Sequence, residues 1–306
     1  MGLLDGKVAV VTGSGRGIGR AEALALASEG AKVVINDMGV ERDGTGAASK
    51  PADEVVAEIK KMGGQAVANY DSVTTWKGGE NIIKTAIDTF GKIDILVNNA
   101  GILRDRMLFN MSEEEWDLVL KVHLYGHFYC TRAAAPIFRQ QRSGRIINTS
   151  SEAGLGNMGQ ANYSAAKEGI VGFTRTVALD MAKYGVTCNA IRPRAATRMT
   201  VTPELKAAME KKAGTGGGGL SLAEDELRKM APEHIAPLVA YLATDAAANI
   251  NGRTFLVTGG QIGLYSEPAI INSIFKDGFW TVKELVDVMP KSLTQGFPSA
   301  PAGQAK

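Results

Sequence analysis

The chain has 306 residues, 36 of them glycine, with 45% apolar and 22% charged residues and a formal charge of +2. A glycine content well above the usual ~7%, without a Gly-X-Y period and in an apolar-rich chain, excludes a collagenous or disordered protein. The near balance of 34 basic and 32 acidic residues offers no global attraction for nucleic acid or an anionic membrane, so neither is an expected partner.

Residues 7 to 12 form a short β-branched run that ends in glycines, and Ile18 to Glu29 follow with helical spacing of Leu24, Ala25 and Leu26. The alternation then recurs: strand 32 to 36, helix 51 to 62, strand 65 to 69, helix 78 to 90, strand 93 to 97, a long helix from Ser112, strand 145 to 149, helix 161 to 183, and strands at 186 to 191 and 254 to 258. In that long helix Ser112 and Glu115 have the spacing of a capping box. Strands separated by helices imply right-handed crossovers, hence a doubly wound, Rossmann-like α/β fold with seven parallel strands. One catalytic domain is expected over 1–265, with a C-terminal extension over 266–306.

Three stretches interrupt the pattern. One is the polar loop from Met38 to Lys50. The second, 199–231, contains Gly214 and Gly216 to Gly219 and follows the strand at 186 to 191. Ligands bind beyond the carboxyl ends of strands in such sheets, so this segment reads as a substrate lid or as a disordered surface loop. The third is the tail, where Phe275, Phe279, Trp280 and Val282 are expected to pack on the body or on a neighbouring subunit, and Thr294 to Lys306 reads as disordered. Cys130 and Cys188 lack metal or disulfide-framework spacing and are expected as reduced core residues. With no signal peptide at Met1 to Asp5, no run of 18 apolar residues and no peroxisomal ending in Gln304-Ala305-Lys306, cytoplasm is the expected compartment.

The turn Gly13-Ser14-Gly15-Arg16-Gly17-Ile18-Gly19 joins the first strand to the first helix. Its glycines permit positive φ and let the backbone approach a pyrophosphate, which the helix N-terminus then stabilises. Its spacing is G-x-x-x-G-x-G rather than G-x-G-x-x-G. Asp37 ends the second strand 18 residues after Gly19, near the distance at which an acid binds an adenosine ribose hydroxyl. A carboxylate there repels a 2′-phosphate and favours NAD; Arg16 argues for NADP, and Asp37 is given the greater weight. Further on, Tyr163 and Lys167 stand at i and i+4 on one helix face, where an ammonium lowers a phenol's pKa toward that of a general base.

In combination, the glycine turn, Asn98-Asn99-Ala100-Gly101, Ser151 ahead of Tyr163 and Lys167, and Pro193 to Thr197 resemble the short-chain dehydrogenase/reductase family over about residues 5 to 265. The resemblance implies hydride transfer with a nicotinamide cofactor, Tyr163 as acid/base, Lys167 lowering its pKa and holding the nicotinamide ribose, and Ser151 binding the substrate oxygen. It also implies that Asp71, Ser72, Asn98, Ala100, Gly101, Pro193, Ala196 and Thr197 join the glycine turn and Asp37 around NAD. Ser150 competes with Ser151, since the family commonly spaces serine and tyrosine by the 13 residues that separate Ser150 from Tyr163; Ser151 is chosen on the Ser-Glu-Ala-Gly alignment. His123 stands where the family usually has an asparagine of the proton relay, and could serve that relay through its carbonyl or its ring. His127, at i+4, makes a metal pair without a third ligand, so no metal is expected.

Local runs around Ile35 to Gly39, Val67 to Val73, Gly101 to Arg106, Lys121 to Leu124 and Asn157 to Lys167 look like the (3R)-hydroxyacyl-CoA dehydrogenase unit of the peroxisomal multifunctional β-oxidation enzymes. That similarity implies NAD-dependent oxidation of a 3-hydroxyacyl-CoA, an acyl-CoA thioester, by a homodimer or homotetramer. Competing readings are a hydroxysteroid or other bulky alcohol dehydrogenase, an NADPH-dependent 3-ketoacyl carrier-protein reductase, and a nucleotide sensor without chemistry.

Overall fold

Val8–Thr12 (β1) is buried over its whole length, as a continuous β-branched run must be when a parallel strand is covered on both faces. Its side chains alternate between two cores: Ala9 and Val11 join one apolar cluster, Val8 and Val10 the other. The computed structural model describes residues 2–197 and 230–298. From β1 the chain runs through Gly17–Ser28 (α1), Lys32–Asn36 (β2), Lys50–Lys61 (α2), Ala66–Asn69 (β3), Trp76–Phe90 (α3) and Ile95–Asn98 (β4). It continues with Glu113–Leu120 (α4), Gly126–Gln141 (α5), Gly144–Thr149 (β5), Ala161–Met181 (α6), Val186–Pro193 (β6), Ala236–Ala243 (α7) and Thr254–Thr258 (β7).

The sheet order is β3-β2-β1-β4-β5-β6-β7-β8, and β1 to β7 pair in parallel as expected. The final member, Gln261–Leu264 (β8), is an addition. It returns antiparallel to β7, with Thr258 opposite Gln261 across Gly259 and Gly260. Because β1 pairs with both β2 and β4, the strand order reverses there, which is the switch point beside which such sheets bind ligands. One core, with Leu26 of α1, Ile59 of α2 and Val239 of α7, lies on one side of the sheet; the other holds Ile82 of α3, Phe138 of α5 and Val177 of α6.

The long helix from Ser112 is interrupted. The Ser112/Glu115 capping box starts α4, but Lys121–Tyr125 form a π-helical turn before α5. Such a turn carries one extra residue and occurs often at functional sites. Cys130 and Cys188 are both buried and free.

The chain divides into two units, Met1–Tyr265 and Ser266–Lys306. In the second, Val282–Val288 (α8) begins with a capping box from Thr281 and Glu284, and Lys276 pairs with Glu284 while lying 5.7 Å from the Trp280 ring centroid. Within this unit Phe275, Phe279 and Val282 are exposed, and the polar cap and the ion pair hold the short helix. Residues 199–229 and 299–306, parts of the expected substrate loop and disordered end, lie outside the described residues.

Candidate active site

Three glycines shape the turn after β1, each for its own reason. Gly13 and Gly17 adopt φ of +64° and +56°, and a Cβ on Gly13 would stand 2.7 Å from the Ala100 Cα. At Gly19 a Cβ would come within 2.4 Å of both Asn99 Nδ2 and the Gly13 carbonyl oxygen, so α1 can enter this closely only with glycine there. Thr12 locks the turn to the end of β4, its hydroxyl accepting from the amides of Asn99 at 3.0 Å and Ala100 at 3.1 Å. Arg16, the N-cap of α1, makes no side-chain capping bond, so the first amides of the helix keep their capacity to bind an anion.

A cavity of about 560 Å³ opens over this turn, walled by Gly13, Arg16 to Gly19, Asp37, Asp71, Ser72, Ala100 and Gly101. Asp37 is held in place, accepting from the Gly15 amide at 2.8 Å and the Gly39 amide at 2.6 Å. A carboxylate has about four acceptor positions, so a ribose diol still finds partners there. Arg16 has an acid of its own, Glu41 at 3.9 Å, which weakens the argument it offers for a 2′-phosphate. Cavity size, turn geometry and fixed acid together fit an adenine dinucleotide.

Three residues expected at the cofactor, Asn98, Gly15 and Ala196, do not line either cavity of the site. Asn98 faces inward from β4 and donates to Thr131 Oγ1 and Asn148 Oδ1; Asn99, the next residue and on the opposite side of the chain, lines the cavity instead. Gly15 is engaged by its amide with Asp37, and a Cβ there would stand 2.9 Å from the Asp37 carboxylate. Ala196 is engaged by its amide with the Met230 carbonyl, while Ala195 and Thr197 face the site.

A second cavity, about 570 Å³, shares Ile18, Asn99, Gly101 and Thr197 with the first and is lined by His123, Ser151, Tyr163, Lys167 and Pro193. The two serines separate cleanly. Ser150 is buried and donates to the Lys167 carbonyl at 2.7 Å, whereas Ser151 hydrogen-bonds the Tyr163 hydroxyl. Lys167 Nζ donates to the Thr149 carbonyl at 2.6 Å and lies 5.4 Å from the Tyr163 ring centroid. Burial pushes the phenol up to about 12, against the opposing Ser151 hydrogen bond, and pushes the lysine down to about 7. Within the protein alone, burial therefore outweighs the expected effect of Lys167 on Tyr163.

His123 occupies the π-turn, fully buried. Its Nε2 meets the Ile102 amide at 3.1 Å and the Ile102 carbonyl at 2.9 Å, the tautomer deciding which is engaged. Its ring stands edge-on to Tyr163 with centroids 5.1 Å apart. Burial, reinforced by the Lys167 charge, holds the imidazole well below its usual pKa, so it is neutral. A Cβ at Gly101 would lie 2.5 Å from the His123 Cε1, which accounts for the glycine opposite this ring. Among the described residues no group of three His, Cys, Asp or Glu side chains could hold a metal.

Sequence reasoning missed Glu152, Arg194 and Arg42, which also line the second cavity. Glu152 accepts from Arg194 Nη2 at 2.9 Å and from the Tyr265 hydroxyl at 3.0 Å, anchoring the turn that follows Ser151. Their only signal was charge next to motif residues.

A family model described as short chain dehydrogenase matches residues 7–209. A hydroxyacyl-CoA dehydrogenase of Mycobacterium tuberculosis is 44% identical over 292 residues, covering 92% of this chain and 87% of that protein. The peroxisomal multifunctional enzyme type 2 of Mus musculus is 48% identical over 260 residues, 85% of this chain but only 32% of the mouse protein. The crystal structure of a short chain dehydrogenase from Mycobacterium avium superposes with a TM-score of 0.82 at 44% identity, covering 99% of this chain and 100% of the other. No helix among the described residues is long and apolar enough to cross a membrane.

Proposed function

The chain belongs to the short-chain dehydrogenase family of oxidoreductases, and from that premise we propose that it oxidises a 3-hydroxyacyl-CoA to the 3-ketoacyl-CoA with NAD. The observation that carries the reading is the meeting of Ser151, Tyr163 and Lys167 in a cavity that shares a wall with the nucleotide cavity. The names of the mycobacterial and mouse relatives support an acyl-CoA thioester as substrate. Asp37, fixed by two backbone amides, supports NAD over NADP.

When bound, the nicotinamide supplies the hydride-accepting carbon and, in its oxidised form, a positive charge. Gly13, Gly17, Gly19 and the α1 amides would hold the diphosphate, Asp37 the adenosine ribose, and Lys167 the nicotinamide ribose. Ser151 positions the alcohol oxygen. Tyr163 takes its proton as the carbonyl forms, and neutral His123 packs against the Tyr163 ring to fix its orientation. Catalysis in this reading rests on the cofactor's chemistry together with orientation and proton transfer by the protein. Residues 1–265 form the catalytic domain, 266–306 an extension, and the working species is a homodimer or homotetramer.

The deciding experiment measures NADH formation with (3R)- and (3S)-3-hydroxyacyl-CoAs, hydroxysteroids and cyclic alcohols. Turnover is expected with the acyl-CoAs. Preferential turnover of a steroid or cyclic alcohol would replace the substrate assignment, and NAD binding without turnover of any of them would make the chain a nucleotide sensor.

A further inference from the structure

We propose that the substrate cavity continues outward onto an apolar platform of Leu108, Phe109, Leu155 and Met158, and that this platform takes the hydrocarbon end of the acyl thioester. The inference rests on the function proposed above and extends it to a substrate class, long-chain acyl groups.

Two turns form the platform, one after Arg106 and one after Ser151. They are stitched together through their polar atoms. The Arg106 amide donates to the Gly159 carbonyl at 2.8 Å, Arg106 and Gln160 form an isolated parallel bridge, and Gln160 Nε2 donates to Asp105 Oδ1 at 3.0 Å. Asn162 Nδ2 adds a bond to the Arg104 carbonyl at 3.0 Å. With polar groups engaged between the turns, the apolar side chains are left outside: Leu108 is 69% exposed, Phe109 79%, Leu155 64% and Met158 84%. Exposed apolar residues are ordinary when scattered, but four carried on two turns joined in this way call for a ligand.

Position decides which ligand. Gly156, Asn157 and Gln160 line the substrate cavity, and Leu155 and Met158 flank the first two in the chain, so the platform adjoins the cavity wall. Neither 107–109 nor 155–158 contains an ionisable residue, which suits an uncharged chain and gives nothing to a polar head. A hydrocarbon chain leaving the reacting carbon would run directly onto these side chains, each methylene gaining from removal of apolar surface from water.

The test compares kcat/KM for a 3-hydroxyacyl-CoA of butyryl length and one of palmitoyl length in the wild-type chain and in a Phe109→Ser, Leu155→Ser, Met158→Ser triple variant. The wild-type protein should prefer the longer chain, and the variant should lose that preference by roughly tenfold or more while keeping its short-chain rate, which also reports that it is folded. An unchanged preference, or equal losses at both lengths, would overturn the platform. So would a change in solution mass without a change in preference, which would make this face a subunit contact. If the wild-type chain oxidises neither thioester, the function proposed above has failed; the platform is then judged by calorimetric binding of palmitoyl-CoA, where equal affinity for wild type and variant would overturn it.

Discussion

Glu22 is a buried acid that no partner compensates among the described residues. It lies on α1 at 0% exposure, neither carboxyl oxygen has a hydrogen-bond partner, and burial raises its pKa from 4.5 to about 8. An unfolded chain releases this proton above pH 4.5 while the folded chain keeps it, so its contribution to stability falls as pH rises from 4.5 to 8 and is level beyond. The displacement, about 8 minus 4.5, is 3.5 pH decades; at about 1.4 kcal/mol per decade it removes roughly 5 kcal/mol of stability by pH 8. Glu22→Met keeps the volume and removes the titration. Urea unfolding of both proteins at a series of pH values should show a stability difference that grows in favour of the variant from pH 5 to pH 8 and then stops growing. A difference independent of pH, or one that favours the wild-type chain at pH 8, would show that the carboxylate is charged and compensated in the fold, and the reasoning would fail.

Tyr163→Phe removes the only hydroxyl that Ser151 meets on that ring, and turnover should fall by about 100-fold to 10,000-fold while NAD affinity, measured by calorimetry, is retained. Asp37→Asn keeps an acceptor for the Gly15 amide but removes the charge; the NAD to NADP preference in kcat/KM should drop by roughly tenfold to a hundredfold, with an unchanged ratio counting against the assignment. His123→Asn should leave the shape of the pH-rate profile intact, since burial already keeps the imidazole uncharged across the working range; a shifted limb would show that the ring titrates. Oxidation by the wild-type chain should accelerate toward alkaline pH, because burial favours the protonated phenol.

The parallel strands were legible because burial on both faces makes a strand an unbroken apolar run, as in Val8 to Val11 and Ile95 to Val97. β8 was not, since a four-residue edge strand containing Gly263, with Ile262 and Leu264 exposed, carries no burial pattern. The same parity explains Asn98: one residue decides which side of a chain a group faces, and motif spacing does not resolve that. Ser150 and Ser151 pose the same ambiguity, and there the Ser-Glu-Ala-Gly alignment chose the residue that meets Tyr163. The π-turn at His123 depends on a backbone register that helical periodicity cannot display. The raised pKa of Tyr163 reflects enclosure, a property of packing from several elements at once, whereas its helical spacing to Lys167 was local and readable.

The bond between Thr12 and the amides of Asn99 and Ala100 joins positions almost ninety residues apart. A nascent chain that ends before β4 therefore has the glycine motif but cannot have the finished cradle, because Gly13 is braced by a strand not yet made. Dinucleotide affinity becomes a report on folding: it should arise only once β4 has docked beside β1, and a ligand held there raises the free energy of undocking the two halves of the sheet.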